Sequence, residues 1–138
     1  MGQPNVCREA ESQEVTAVDE AMLEFVRKNQ TAFMVTTRKN GTAHAARMNV
    51  TPVDGKLWSS GTKTRVRTKH LLQNPVATLA IFEEGTGRWL GVEARVTMYE
   101  GQDSQEKHLA MHKARGDAPA DMAAFNKRLE DEQRIIYE

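Results

Sequence analysis

Residues Ala32–Ser60 read AFMVTTRKNGTAHAARMNVTPVDGKLWSS. The first run, AFMVTTR, is β-branched and apolar, the composition of a strand. Asn40-Gly41 follows, the strongest short hairpin signal, because both positions tolerate positive φ. AHAARMNVTPV then returns as a second strand. Asp54-Gly55 is another tight turn, and KLWSS is a third strand. The segment predicts a three-strand antiparallel meander.

Upstream, Val18, Met22, Phe25 and Val26 fall at i, i+4, i+7 and i+8. That is one apolar face of a helix, ending near Asn29. Thr16 with Asp19 resembles a capping box with a shortened acid. Downstream, TRVRTKHLLQN (Thr64–Asn74) is a short helix stopped by Pro75. VATLAIF (Val76–Phe82) is a near-continuous apolar strand, read as buried on both faces, and RWLGVEARVTMYE (Arg88–Glu100) is a long strand. Asp103 with Glu106 resembles a capping box opening the helix SQEKHLAMHKAR. Gly116–Pro119 breaks that helix. ADMAAFNKRLEDE is another, with Met122, Phe125 and Leu129 on one face, and RIIY (Arg134–Tyr137) begins a strand. Hairpin-joined strands with few helices give a mainly β class. About six strands form a small antiparallel barrel with helices packed outside. Residues 1–14 read as a flexible tail and 15–138 as one domain, a length that suits a single core.

The 19 Lys and Arg balance the 19 Asp and Glu. Net charge therefore gives no reason to expect a nucleic-acid or anionic-membrane partner. The distribution is uneven, because Lys56–Phe82 contains no acid at all. Within it, GTKTRVRTKHLLQ (Gly61–Gln73) concentrates Lys63, Arg65, Arg67 and Lys69. A helix opening after KLWSS would put Ser59, Ser60, Gly61, Thr62 and Thr64 near its N-terminus. Open N–H groups, the helix dipole and hydroxyls there attract an anion. Arg65 and Lys69 share one face, and Arg67 points about 200° round from Arg65. The plain alternative is a solvated basic face. The Gly and Lys spacing excludes a P-loop.

Cys7 is the only cysteine. It allows no intramolecular disulfide and no thiolate metal cluster, which fits a reducing cytoplasm. No apolar run approaches a membrane span, and the first residues are polar. His108 and His112 are spaced i, i+4, but HLAMH lacks the glutamate of hydrolytic zinc helices, so no metal site is assigned. No nucleophile elbow and no G-x-G-x-x-G is present. His44 is expected to be exposed, and His70 to be a phosphate donor or a surface group. Trp58 and Trp89 each sit in a strand, as core or beside a flat ligand.

Three pieces in this order, NGTAHAARMNV, then KHLLQNP running into VATLAIF, then RWLGVEARV, carry a resemblance. The chain resembles the split β-barrel flavin-binding proteins, the pyridoxamine 5′-phosphate oxidase-like superfamily. Within it the chain looks closest to the small deazaflavin (coenzyme F420) or FMN-dependent reductases. Residues 16–101 carry the likeness most strongly. The resemblance implies a six-stranded antiparallel split β-barrel and a homodimer with the cofactor between the subunits. It places Arg67 and Lys69 on the cofactor phosphate, with Ser60, Thr62 and Arg65 near it. It lays RMN (Arg47, Met48, Asn49) along the tricyclic ring, with the Met48 backbone at the ring edge, and brings Trp89 from the partner subunit. Lys63 is left for a longer anionic tail or for water. The family pattern closes with a complete strand and a short tail after the last helix, and the chain departs from it by ending at RIIYE, a short or incomplete strand.

Such enzymes commonly pass a hydride from reduced cofactor to a stacked small substrate, so no catalytic triad is expected. The surplus of cations over one phosphate favours F420, with its carboxylate-rich tail, over FMN. A non-catalytic cofactor binder is a second reading, because fold does not fix function. Nucleic-acid binding is disfavoured by neutral charge and by the lack of aromatics among the cations.

Overall fold

The computed structural model describes residues 19–138, beginning with helix α1 (Glu20–Lys28). Asp19 caps α1, its Oδ1 accepting the Met22 N–H at 2.9 Å, which satisfies one donor that the helix start leaves open. Leu23 and Val26 are buried, with Met22 and Phe25 packed beside the core. Asn29 ends the helix by bonding back to the Phe25 and Val26 carbonyls. Val18, the Thr16 capping box, Cys7 and the tail over 1–14 lie outside the described residues.

Strands β1 (Thr31–Thr37), β2 (Ala43–Asn49), β3 (Thr51–Val53) and β4 (Lys56–Thr62) follow. The meander is present, but its middle strand is broken at Val50. β2 pairs with β1, while β3 pairs with β4. Asp54 (φ 50°) and Gly55 (φ 77°) make the turn between β3 and β4, with both central residues left-handed as a two-residue hairpin loop requires.

The strands β5 (Val76–Phe82), β6 (Trp89–Arg95), β7 (Met98–Tyr99) and β8 (Arg134–Tyr137) complete two four-stranded sheets, ordered β2-β1-β5-β6 and β3-β4-β8-β7. Every pairing is antiparallel. The long segment RWLGVEARVTMYE also breaks, at Val96-Thr97, so that β6 serves one sheet and β7 the other. The expected single six-stranded barrel is thus corrected. Six extended segments become eight strands, because two of them change sheets. Twisted sheets stacked face to face force such a bend wherever one segment serves both. β8 is a full member, paired with β4 on one edge and β7 on the other.

The main core lies between the sheets, where Met34, Val50, Leu79, Ile81, Val92 and Ile135 meet Val26 of α1. Full burial of each large side chain is worth about 1.5–3 kcal/mol. Helix α2 (Val66–Gln73) packs on β1, and α3 (Gly101–Ala114) packs on β3 and β8. Helix α4 (Met122–Asp131) packs on α3 and β8. Trp58, Met111 and Ile136 form a second cluster under α3. No described helix is long and apolar enough to cross a membrane.

Two local expectations are also corrected. β5 buries one face only, with Ala77, Leu79 and Ile81 inward and Val76 and Phe82 exposed. A continuous apolar run cannot by itself tell two buried faces from an uncovered apolar one. Helix α3 starts at Gly101, ahead of the Asp103–Glu106 pair, and Glu100 at its cap position makes no capping bond. Glu100 instead pairs with Lys63 at 3.0 Å.

Candidate functional site

The bend at Val50 puts the end of β2 beside β4. The Ser59 hydroxyl donates to the Asn49 carbonyl at 2.6 Å and fastens the two together. Met48 and Asn49 therefore stand next to Ser60. Arg67, in the first turn of α2, lies with its guanidinium carbon 5.7 Å from the Tyr137 ring centroid. That turn is held because the Thr68 hydroxyl donates to the Thr62 carbonyl at 2.7 Å and meets the Tyr137 hydroxyl. Met48, Asn49, Ser60 and Arg67 form one wall of a cavity of about 350 Å³. The rest of the lining is His108, Met111, His112 and Arg115 from α3, Arg128 and Leu129 from α4, Glu132 just after α4, and Arg134 from β8.

Four guanidinium groups thus face one carboxylate. Glu132 is taken by Arg134 Nε at 2.6 Å. Asp117, outside the lining, stands 3.7 Å from Arg115 Nε without a hydrogen bond. Among the described residues, neither Arg67 nor Arg128 has a carboxylate partner. The Nε atoms of Arg67 and Arg115 are buried with no protein acceptor. A buried donor left open costs about 1–3 kcal/mol, so the donor set suits an anion.

Ser60 and His108 form a fixed couple in this cavity. His108 is buried, with Nδ1 2.7 Å from the Ser104 carbonyl. A carbonyl only accepts, so Nδ1 carries the proton and Nε2 is the acceptor. The Ser60 hydroxyl, 2.8 Å from Nε2, therefore donates to it. Arg134 Nη1 donates to the Ser60 oxygen at 3.4 Å. Burial, reinforced by the charges of Arg134, His112 and Arg115, lowers the His108 pKa to about 4, against the weaker opposing effect of the Ser104 carbonyl. The imidazole is neutral at pH 7, and its Nε2 is where the Ser60 proton points.

The remaining residues singled out in the sequence lie elsewhere. Lys69 lines a different groove of about 410 Å³, with Arg38, Lys39 and His70. His70 Nδ1 is 2.9 Å from the Thr36 hydroxyl, and its ring meets His44 edge-on at 5.2 Å. His44, expected outside, is half-buried under α2. Burial, with the charges of Arg38, His70 and Arg67, lowers its pKa. Arg65 is the exposed N-cap of α2, and Thr62 is buried on β4. Ser59, Ser60, Gly61 and Thr62 belong to β4, so the expected helix-start cradle of hydroxyls does not form there. Arg47 projects from the outer face of the first sheet, opposite Phe33. Trp89 is on the same sheet, 66% exposed, with its ring over Gly91.

The model of the pyridoxamine 5′-phosphate oxidase family matches residues 18–135. The chain belongs to this family. Solved structures with the same fold include a conserved hypothetical protein from Mycobacterium tuberculosis, with TM-score 0.71 at 16% identity. That match covers 87% of this chain and 78% of the other. A structure described as an F420 reductase has TM-score 0.63 at 18% identity, covering 87% of this chain and 92% of its own. A NimC/NimA family protein from Clostridium acetobutylicum has TM-score 0.58 at 17% identity, covering 83% and 77%. At these identities the likeness is one of fold. No curated protein matches the chain.

The helical wall was not read from the sequence of this family member. His108, His112 and Arg115 are spaced i, i+4 and i+7, so one face carries all three. The pattern was there, but what that face looks at depends on how α3 packs.

Proposed function

We propose that this protein is an oxidoreductase that binds F420 in the arginine-rich cavity, with FMN as the alternative cofactor. The observation that supports this reading most is the convergence of Met48, Asn49, Ser60 and Arg67 on one cavity. These residues come from two strands and the helix that follows them. The donor set fits such a group. Arg67 has a buried, unpartnered Nε and no carboxylate partner among the described residues, which suits a phosphate. Met48 and Asn49 bring strand backbone to the same wall, for the polar edge of a ring. When bound, the cofactor supplies hydride chemistry, and the protein supplies orientation and electrostatics. Here Arg67 binds, Met48 and Asn49 orient, and His108 Nε2 accepts the hydrogen bond that the Ser60 hydroxyl donates.

The volume, about 350 Å³, is near the lower end of ligand pockets, so one protomer covers only part of such a cofactor. The reading therefore includes a homodimer. Phe33, Val76, Phe82 and Trp89 are exposed together on the outer face of the first sheet, an apolar patch of the kind that marks an interaction surface. Small unsaturated or quinone-like molecules are the proposed substrates.

Fluorescence titration of the purified protein with F420 and with FMN tests the reading. The expected outcome is tighter binding of F420, with Arg67→Ala weakening it at least tenfold. Lys69→Ala, in the other groove, should weaken it less. Tighter FMN binding would change the cofactor, and no binding of either would refute the proposal. Bound F420 whose reduced form no enone or quinone oxidises would leave a binder, not an enzyme.

A further inference from the structure

We propose that the helical wall of the cavity, Arg115 with Arg128, is a carboxylate site that seats an anionic substrate, a small unsaturated carboxylate. The identity of that ligand as a substrate rests on the oxidoreductase reading. The anion site rests on the wall itself.

Both guanidinium groups are positioned by rings, Arg128 with no carboxylate partner among the described residues and Arg115 with only the exposed Asp117, 3.7 Å from its Nε. Arg115 Nη2 lies 3.4 Å from both ring nitrogens of His112, which places it against the ring face. The His112 ring meets Phe125 edge-on at 5.2 Å. Arg128 lies with its guanidinium carbon 5.8 Å from that same Phe125 ring. A short run of aromatic rings thus holds two cations on one cavity wall. A ring beside a guanidinium takes none of its N–H groups, which stay free for a carboxylate fork.

The acids nearby do not fill that role. Glu132 bonds Arg134 at 2.6 Å. Asp117 is 58% exposed at its side chain and stands 3.3 Å from His112 Nδ1 and 3.7 Å from Arg115 Nε. Arg115 Nε remains buried without a hydrogen bond. Arg67, from α2, is the phosphate group's partner in the proposed function. The cavity lining therefore carries Arg115 and Arg128 besides Arg67, more cations than a cofactor phosphate needs.

The probe is trans-cinnamate, with neutral cinnamamide as its isostere. Binding to the cofactor-free full-length protein is followed by isothermal titration and ligand-observed NMR. Cinnamate should bind at least tenfold more tightly than cinnamamide, and Arg128→Gln or Arg115→Ala should remove most of that preference. Arg115→Lys, which keeps the charge but not the fork, should recover only part of it. Affinity for F420 and FMN should stay within twofold in the Arg128→Gln protein. Arg128 is exposed on α4, so this variant should also keep the wild-type melting temperature. Equal binding of cinnamate and cinnamamide would overturn the proposal. So would a loss of F420 affinity in Arg128→Gln with FMN unaffected, because the site would then serve the carboxylate tail of F420. Cinnamate preference in a protein that binds neither cofactor would refute the oxidoreductase reading and leave the anion site standing.

Discussion

His108 should make the protein acid-labile over a defined pH window. In the unfolded chain its pKa is the ordinary 6.5, and in the fold it is about 4. Below pH 6.5 the unfolded chain takes up a proton that the folded protein refuses. Stability therefore falls from pH 6.5 to 4, and this group adds no further loss below that, where both states are protonated. At about 1.4 kcal/mol per pH unit, the gap is worth about 3 kcal/mol. That is a large share of the roughly 5–15 kcal/mol that holds a domain together. Urea unfolding at stepped pH measures it, with carboxylates supplying a background slope. His108→Gln isolates the histidine. The variant should be less stable at pH 7, because the ring is buried between Ser60 and Ser104. The difference between the two proteins should then shrink by about 3 kcal/mol on going to pH 4. NMR of the His108 ring should show no titration near pH 6.5. A ring that titrates there, or a pH-independent difference, would refute both the neutral tautomer and the donor role given to Ser60.

Three further outcomes follow from the packing. Gly61→Ala should destabilise by about 1–3 kcal/mol in thermal unfolding, as overpacking does, because an added Cβ runs into the buried Tyr137 ring. Glu138→Gln should destabilise by roughly 1–3 kcal/mol at pH 7. Burial raises the Glu138 carboxyl, but Lys107 at 2.8 Å and Lys56 at 3.1 Å outweigh it and leave the pKa below normal. The wild type should therefore lose that contribution as pH falls through the folded-state pKa, while the variant shows a flatter acid limb in the same titration. Phe82→Glu, on the exposed apolar face, should yield monomers in light scattering if that face joins two copies. An unchanged mass would remove the face from the interface.

The fold was legible where local chemistry decides it. Asp54-Gly55 could only be a tight turn, and the β-branched run before Asn40 could only be a strand of that length. What the sequence hid was which partner each half of a long strand would choose. ARMNVTPV shows no residue that must break a strand, yet Val50 divides it between sheets, with its N–H bonded to the Gln30 carbonyl at 2.7 Å. The break is imposed by two sheets stacking, a global constraint without a local signature. The same division runs through the candidate site. Met48, Asn49, Ser60 and Arg67 could be named because they lie on neighbouring segments of one meander and its following helix. Lys69 is two residues from Arg67, yet helical geometry turns it into another groove. Arg115 and Arg128 could not be named, since nothing in their own segments says that α3 and α4 close over Ser60. The Ser60–His108 bond spans 48 residues and exists only because α3 docks on β3 and β8. That docking also creates the neutral histidine, so the one strongly shifted group in the cavity is a product of packing and not of any motif.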